Sequence, residues 1–271
     1  MGQRHREVHR RRRVRVPDPL GAVTTRTLIL IRHGESLGNA EGIFTGLLDV
    51  PLTERGRTEA RGAAELLVRA MVAPSVALVS LMDRARSTLD EMLEILPHQP
   101  VVLADWRLNE RHYGALSGFA KSDILTAFGE DQFLEWRRSI DIAPPAHPDG
   151  LPVLTPGAAS PFEEFRGELG ASESLRDVMR RVEPCFREVI LPALHRGEVV
   201  AVIAHGNSLR ALCAVIDALN DAEVRDLNLP TGQPLVYKLD ADGRPAVRGG
   251  TYLDPDNALA AARIIAAQGG T

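Results

Sequence analysis

The sequence predicts a single α/β domain with a largely parallel central sheet flanked by helices. Short apolar runs alternate along the chain with segments of helical periodicity, and several of the runs are continuous, as in strands that are buried on both faces. Of the 271 residues, 44% are hydrophobic, which is enough to bury a sizeable core and excludes disordered and collagen-like classes. We expect this domain to span residues 27–269.

The elements of the first half follow from this periodicity. β-branched apolar runs predict strands, and apolar residues three and four positions apart predict helices. Pro51 and Thr53 open the first helix, and Ser80 would be the N-cap of the second, with Asp83 completing a weak capping box. In chain order we predict a strand at 27–31, a helix opening at 51–53, a strand at 76–79, a helix at 80–96 and a strand at 101–104.

A proline-rich segment, 105–171, interrupts the alternation and is too long for a plain connection, so we expect it to cover or build a site. Helical spacing then resumes at Leu175, with Pro184 predicting a kink and Gly197 a stop. The later elements are predicted as a strand at 199–204, helices at 208–219 and 221–227, an edge strand at 235–239 and a C-terminal helix at about 257–267.

Residues 1–26 form a basic arm, with eight arginines against two acidic residues, whereas the whole chain has a formal net charge of -4. The run 10–13 has no interleaved aromatic residues to stack on bases, so we interpret the arm as a disordered tail rather than a nucleic-acid-binding arm. A targeting peptide and a misplaced translation start are alternative explanations.

Two of the predicted strands end in the same dipeptide. The first runs into Arg32, His33 and Gly34, and the fourth runs into His205 and Gly206. Because ligands bind at the carboxyl ends of parallel strands, both histidines should face one crevice. Glycine allows a ligand to approach the backbone closely, and a following helix N-terminus suits a phosphate. This pattern favours an imidazole that accepts a phosphoryl group.

Such chemistry needs cations around the transferred group and a carboxylate to move a proton. Arg32 and Arg84 are candidates to bind phosphate oxygens through two guanidinium nitrogens each, although Arg84 could equally be a solvated helix residue. Glu110 is the candidate acid or base, with a surface glutamate as the alternative. Lys121 is one of only two lysines, which indicates a need for a compact ammonium there, and Arg137 with its neighbour could extend the anion site.

Two cysteines, Cys185 and Cys213, lie far apart without C-x-x-C spacing, and no cluster has metal-ligand spacing. We therefore expect no disulfide framework and no metal site, in keeping with a reducing cytoplasm. No apolar run reaches the roughly 20 residues that a membrane helix needs.

The chain from about Thr27 to Gly269 resembles the histidine phosphatase superfamily. L-I-R-H-G-E-S at 30–36 and A-H-G-N-S at 204–208 carry that resemblance, and W-R-L-N-E-R-H-Y-G at 106–114 is similar to one branch, the 2,3-bisphosphoglycerate-dependent phosphoglycerate mutases. Further similar stretches lie at 44–46, 49–53, 84–89, 136–139, 173–175, 228–232 and 234–237, and in the closing helix with Asn257.

The resemblance implies a phosphoglycerate mutase-like fold and the interconversion of 3-phosphoglycerate and 2-phosphoglycerate, in glycolysis and gluconeogenesis, without metal. By this likeness His33 would carry the phosphoryl group after priming by 2,3-bisphosphoglycerate, and Glu110 would transfer the proton. Arg32, Arg84 and His205 would hold the phosphoryl group. The residues implied to bind the rest of the substrate are Ser36, Asn39, Thr45, Gly46, Tyr113, Lys121, Arg137, Arg138, Gly206 and Asn207.

We expect a cytoplasmic homo-oligomer, a dimer or tetramer, whose partners are small phosphoglycerates rather than nucleic acid or membrane. The sequence departs from the family at three positions: Gly38 and Leu47 replace common tryptophans, and Ile43 replaces a common arginine. Two other functions stay open from the sequence. One is a phosphomonoester hydrolase of the same superfamily, and the other is a catalytically inactive interaction scaffold.

Overall fold

The computed structural model describes residues 25–154 and 159–267. Its sheet consists of β1 (Arg26–Arg32), β2 (Val76–Val79), β3 (Val101–Ala104), β4 (Val200–Ala204), β5 (Leu235–Leu239) and β6 (Thr251–Tyr252). The strands lie in the order β3-β2-β4-β1-β5-β6. The first four strands in this order are parallel to one another, β5 pairs antiparallel with β1, and β6 pairs antiparallel with β5. The predicted α/β class with a largely parallel sheet is therefore confirmed.

Helices surround this sheet. Those in the described part of the chain are α1 (Leu37–Ala40), α2 (Glu54–Arg69), α3 (Asp83–Leu93), α4 (Lys121–Arg138), α5 (Arg166–Leu169), α6 (Leu175–Cys185), α7 (Leu191–His195), α8 (Gly206–Asp217), α9 (Asp221–Asp226) and α10 (Pro255–Ala267). Shorter 3-10 turns lie at Trp106–Leu108, Gly114–Leu116 and Glu163–Phe165.

The two faces of the sheet bury separate hydrophobic clusters, because successive side chains of a strand point to opposite sides. Leu28 and Leu30 of β1 belong to the larger cluster, which includes residues of α6 and α8. Ile29 and Ile31 belong to the other, with residues of α2 and α3. β1 is thus covered on both faces, as its continuous apolar run predicted.

The sheet differs from the prediction at one edge. β5 was expected to be an edge strand, but Thr251 and Tyr252 pair with Val236 and Leu235 and place β6 outside it. A strand of two residues has no periodicity that a sequence pattern could detect. The edges of the sheet are therefore β6 and β3.

Several helix boundaries also differ. The second helix was expected to begin at Ser80, but α3 begins at Asp83, and the side chain of its N-cap Met82 does not cap the backbone N–H groups of the helix. Ser80 is no helix cap because its hydroxyl is bonded to a histidine, as described below. The long segment contains α4, and Pro184 lies in α6 just before a π-helical turn at Phe186–Ile190.

The arginine-rich arm predicted at 1–26 lies outside the described residues, except for Thr25 and Arg26. None of the helices in the described part of the chain combines the length and the hydropathy that a membrane span requires.

Candidate active site

His33 follows the last residue of β1 and is buried, with 2% of its surface exposed. Its Nδ1 donates to the carbonyl oxygen of Gly34 at 2.7 Å. Since a neutral imidazole carries a single N–H, the Nε2 atom keeps its lone pair. A Cβ on Gly34 would lie 2.1 Å from the carbonyl oxygen of Gly56 in α2, so the turn that aims this ring requires glycine.

Two arginines flank the His33 ring. Arg84, in the first turn of α3, donates from Nε to His33 Nε2 at 3.3 Å, while its other nitrogens donate to the carbonyl oxygens of Leu48 and Gly46. Arg32 is anchored by a 2.8 Å bond from Nη1 to the carbonyl oxygen of Leu229. Both guanidinium groups are fixed by backbone acceptors, which leaves them rigid beside the imidazole.

His205 follows β4, and its ring centroid lies 4.9 Å from that of His33. The parallel pairing of β1 with β4, which aligns Arg32 with Ala204, brings the two strand ends together. The Nε2 atom of His205 lies 2.6 Å from the hydroxyl of Ser80. Its Nδ1 is buried and has no hydrogen-bond partner among the described residues, and the same holds for Nε of Arg32. These two buried N–H positions fit the oxygens of a phosphoryl group.

The electrostatics of this pocket favour neutral imidazoles. Burial, reinforced by the charges of Arg84 and Arg32, lowers the pKa of His33 well below its usual 6.5. Burial and the charge of Arg84 likewise lower the pKa of His205. Burial also lowers the pKa of Arg84 to about 10, so it stays protonated at neutral pH. A neutral nucleophile thus lies beside permanent cations.

Glu110 reaches the same cavity from the segment after β3. Its Oε1 accepts hydrogen bonds from the main-chain N–H groups of Arg111 at 2.7 Å and Asn207 at 3.3 Å. Arg181 stabilises this segment, because it donates to the carbonyl oxygen of Glu110 and forms a buried ion pair with Glu173. Glu110 is therefore held by a main-chain group of its own segment, by a main-chain group of α8 and by the side chain of Arg181 from α6.

Further cations lie on the other side of the cavity. Burial, then the charges of Arg137 and Arg32, lowers the pKa of Lys121 to about 7. The guanidinium of Arg137 lies over the rings of Phe44 and Phe133 at 5.8 and 5.0 Å, and burial lowers its pKa to about 10. Lys121 and Arg137 therefore suit a second anionic group in the same cavity as His33.

The structure brings most of the predicted site residues to one cavity. Those lining it are Arg32, His33, Asn39, Thr45, Gly46, Arg84, Glu110, Tyr113, Lys121, Arg137 and Asn207. His205 is fully buried against His33 rather than at the cavity wall, and Gly206 begins α8.

Three predicted substrate-binding residues, Ser36, Arg138 and Gly206, are not among the residues that line this cavity. Ser36 is the N-cap of α1 and bonds to Asn39, which does line the cavity. Arg138 donates to the carbonyl oxygen of Arg225 and to Asn228 Oδ1, on the wall of a neighbouring cleft. Adjacent residues of a helix point in directions about 100° apart, and here Arg137 and Arg138 line different cavities.

Other residues of the cavity were not predicted from the sequence. Ala261, Ile264 and Ile265 of α10 line it, and so do Glu35 and Arg55, which form an ion pair with each other. An amphipathic face on the alanine-rich helix was the one sequence feature that could have indicated the first three.

The three residues that depart from the family, Gly38, Ile43 and Leu47, have different surroundings in the structure. A Cβ on Gly38 would lie 2.2 Å from Thr45 Oγ1, so glycine makes room for a cavity residue. Ile43 lines the cavity. Leu47 is fully buried in a hydrophobic cluster with Met82 and Phe162.

The family to which this chain belongs is decided by comparison with known protein families. The family model of the histidine phosphatase superfamily (branch 1) matches residues 28–153 and 156–249. The chain belongs to the histidine phosphatase superfamily. This member is 47% identical, over 91% of its length, to the 2,3-bisphosphoglycerate-dependent phosphoglycerate mutase of Corynebacterium glutamicum, and 46% identical, also over 91%, to that of Corynebacterium diphtheriae. The alignments cover 99% of both relatives.

Solved structures of the superfamily share the fold. A mycobacterial hydrolase has a TM-score of 0.65 and 26% identity, with 84% of this chain and 99% of that chain covered. Mycobacterial glucosyl-3-phosphoglycerate phosphatase in complex with VO3 has a TM-score of 0.61 and 27% identity, with 78% and 92% covered. Within the described ranges of the present chain, no three His, Cys, Asp or Glu side chains converge as metal ligands.

Proposed function

We propose that this enzyme is a 2,3-bisphosphoglycerate-dependent phosphoglycerate mutase, which interconverts 3-phosphoglycerate and 2-phosphoglycerate in glycolysis and gluconeogenesis. The observation that carries the proposal is the placement of Glu110, Lys121 and Arg137 in the same cavity as His33. Phosphoryl transfer to His33 alone would need only the cations beside it. The additional carboxylate and cations suit a substrate that carries a hydroxyl, a carboxylate and a phosphate.

In the proposed mechanism His33 is the nucleophile. Its Nε2 lone pair attacks phosphorus as the bond between phosphorus and the substrate oxygen breaks, and the phosphoryl group moves to the ring. Arg32 and Arg84 neutralise the charge on the equatorial oxygens, which is the main requirement of phosphoryl transfer. When a hydroxyl of the bound glycerate attacks the phosphohistidine, the bond between phosphorus and Nε2 breaks and Glu110 takes the proton that the hydroxyl loses. In the opposite transfer, from the substrate to His33, Glu110 returns that proton to the leaving oxygen.

A phosphorylated His33 must exist before the first mutase turnover. 2,3-Bisphosphoglycerate supplies that phosphoryl group, and Arg32, Arg84 and His205 are the residues that would receive it. Lys121, Arg137, Tyr113 and Asn207 would hold the distal groups of the same ligand. The buried Nε of Arg32 and Nδ1 of His205, which have no hydrogen-bond partner in the described part of the chain, support this fit.

A second candidate function is hydrolysis of a phosphomonoester. The solved structures that share this fold include a glucosyl-3-phosphoglycerate phosphatase, and Ile43 lines the cavity where the family commonly has arginine. A cavity with one cation fewer would hold a negatively charged intermediate less tightly. Release of that intermediate would then be favoured over transfer of its phosphoryl group.

The test is a comparison of two fluxes in one preparation. With 3-phosphoglycerate as substrate, 2-phosphoglycerate formation and phosphate release are followed with and without a trace of 2,3-bisphosphoglycerate. The proposal expects isomerisation to exceed phosphate release and to depend on the trace. It also expects acid-labile phosphate on His33, which the His33→Ala variant lacks. Phosphate release without isomerisation would assign the hydrolase instead, and the absence of both fluxes would indicate an inactive scaffold.

We also propose that the enzyme is a homo-oligomer, and that β3 takes part in the interface. Val101, Val102 and Leu103 are 62%, 46% and 40% exposed, so this apolar edge strand is open to water on both faces. Such an edge offers unpaired backbone groups to a second strand, and two copies of β3 could pair antiparallel about a two-fold axis. The two buried thiols, Cys185 and Cys213, suit a reducing cytoplasm.

A further inference from the structure

Ser80 and His205 lie 125 positions apart in sequence and are joined by one short hydrogen bond. Ser80 directly follows β2, and His205 directly follows β4. β2 and β4 are parallel neighbours in which Val79 is aligned with Ile203, and the N–H of Ser80 donates to the carbonyl oxygen of Ile203. The sheet itself therefore fixes the distance between the serine hydroxyl and the imidazole.

The hydrogen-bond roles of Ser80 can be assigned from its surroundings. The side chain is fully buried, and its Oγ accepts a bond from the N–H of Met82 at 3.3 Å. The hydroxyl has one proton to donate, and within the described ranges the acceptor bonded to it is Nε2 of His205, at 2.6 Å. An Nε2 that accepts this proton carries no hydrogen of its own.

The consequence falls on the other ring nitrogen. In a neutral imidazole whose Nε2 is an acceptor, Nδ1 carries the hydrogen. Nδ1 of His205 is buried and lacks a partner among the described residues, and its ring lies 4.9 Å from that of His33. A buried N–H without a partner costs free energy unless a ligand satisfies it. This donor, which has no partner among the described residues, therefore belongs to the ring that packs against His33.

We propose that Ser80 is a positioning residue that holds His205 in the Nδ1–H tautomer, so that a neutral imidazole donates a hydrogen bond to an oxygen of the transferring phosphoryl group. The proposal deepens the proposed function and rests on it for the identity of the group transferred. The burial that lowers the pKa of His205 agrees with a neutral donor. Without the serine, the ring could present a lone pair to the phosphoryl oxygens and repel them.

The first test reads the tautomer directly. In protein labelled with ¹⁵N-histidine, long-range ¹H–¹⁵N spectra distinguish a protonated from an unprotonated ring nitrogen, with His205→Gln used to assign the signals. We expect protonated Nδ1 and unprotonated Nε2 in the wild-type enzyme, with and without orthovanadate as the phosphoryl mimic. A wild-type His205 protonated on Nε2 would overturn the proposal. This measurement needs no turnover, so its failure is distinct from failure of the mutase assignment.

The second test uses variants. Ser80→Ala should populate the Nε2–H tautomer and slow phosphoenzyme formation by about 10- to 100-fold, by analogy with the loss of a hydrogen bond that orients a metal-ligating histidine. Ser80→Thr keeps the hydroxyl and should recover the tautomer and much of the rate. Ser75→Ala, at the opposite end of β2, is the matched control and should change neither.

Thermal unfolding of each variant separates positioning from stability. A purely structural role for Ser80 would lower the melting temperature of Ser80→Ala and leave the His205 tautomer as in the wild type, and that outcome would also overturn the proposal. If Ser80→Ala does not fold, the wild-type spectra and the Ser80→Thr variant still decide the question.

Discussion

The main-chain N–H of Asn207 donates to Oε1 of Glu110 at 3.3 Å, which joins the first turn of α8 to the segment after β3. The N–H of Arg111 donates to the same oxygen. With Oε1 satisfied twice, Oε2 is the oxygen left to exchange a proton with a ligand. Two parts of the chain meet at this carboxylate. One is the segment after β3, which contains the cavity residue Tyr113, and the other is α8, whose N-cap is His205.

Glu110→Gln should therefore lower kcat with little effect on the fold, because the amide oxygen can still accept both main-chain bonds. Loss of a general acid or base costs about 10²- to 10⁴-fold in rate. Steady-state isomerisation and thermal unfolding measure the two effects. Glu94→Gln, an exposed change in the turn after α3, is the control. An unchanged kcat in Glu110→Gln would show that the proton moves through another group.

His33 should stay neutral in moderately acidic solution. Its folded-state pKa is lowered below 6.5, so the unfolded chain binds a proton that the folded ring does not. NMR titration from about pH 7.5 to about pH 5.5 should find the ring unprotonated throughout, while a histidine-containing peptide titrates in this range. The free energy of unfolding should fall as pH drops below 6.5, and less steeply in His33→Ala. A His33 ring that protonates like the peptide would contradict the burial argument.

Anion binding should draw a proton onto Lys121. Its pKa in the free enzyme is about 7, and a bound phosphate or carboxylate raises it, so part of the population takes up a proton on binding. Calorimetry of 3-phosphoglycerate binding at about pH 7.5, in buffers of different ionisation enthalpy, measures that uptake. Lys121→Met should bind more weakly and take up fewer protons, and equal uptake by the two proteins would exclude Lys121 as the acceptor.

Two isoleucines of α10 should control access of water to the phosphohistidine. Ile264 and Ile265 line the cavity, and apolar side chains there exclude solvent from the reactive group. Ile264→Ser and Ile265→Ser should each raise phosphate release relative to isomerisation severalfold. Leu259→Ser on the same helix, exposed and outside the cavity, should leave the ratio unchanged. A ratio that moves equally in all three variants would point to a general effect on the helix.

A charge on β3 should dissociate the proposed oligomer. Val102→Lys places an ammonium in the middle of the strand, a substitution that blocks edge-to-edge pairing. Light scattering after gel filtration should give the mass of one chain, against a multiple of it for the wild type. Val247→Lys changes an exposed valine outside β3, 60% exposed against 46% for Val102, and should keep the wild-type mass. A multimeric Val102→Lys protein would place the interface on another face.

The parts predicted well from sequence depend on local pattern. Continuous apolar runs located the main strands within a residue or two, and the repeated His-Gly pairs placed His33 and His205 together because parallel strand ends meet. Ser80 was misread as a cap because a polar residue before a helix satisfies the local rule, whereas its partner is set by the neighbouring strand. The α10 wall and the orientation of Arg138 also depend on tertiary packing, which local pattern does not encode.

The strand order has a consequence for how the enzyme is made. β1 and β2 are separated in the sheet by β4, so neither can complete its pairing on that side until residue 204 has left the ribosome. A nascent chain that ends earlier exposes two apolar strands with no neighbour between them, a state prone to aggregation. We expect the insertion of β4 between β1 and β2 to determine two things: the need for chaperones during synthesis and the recovery of activity on refolding.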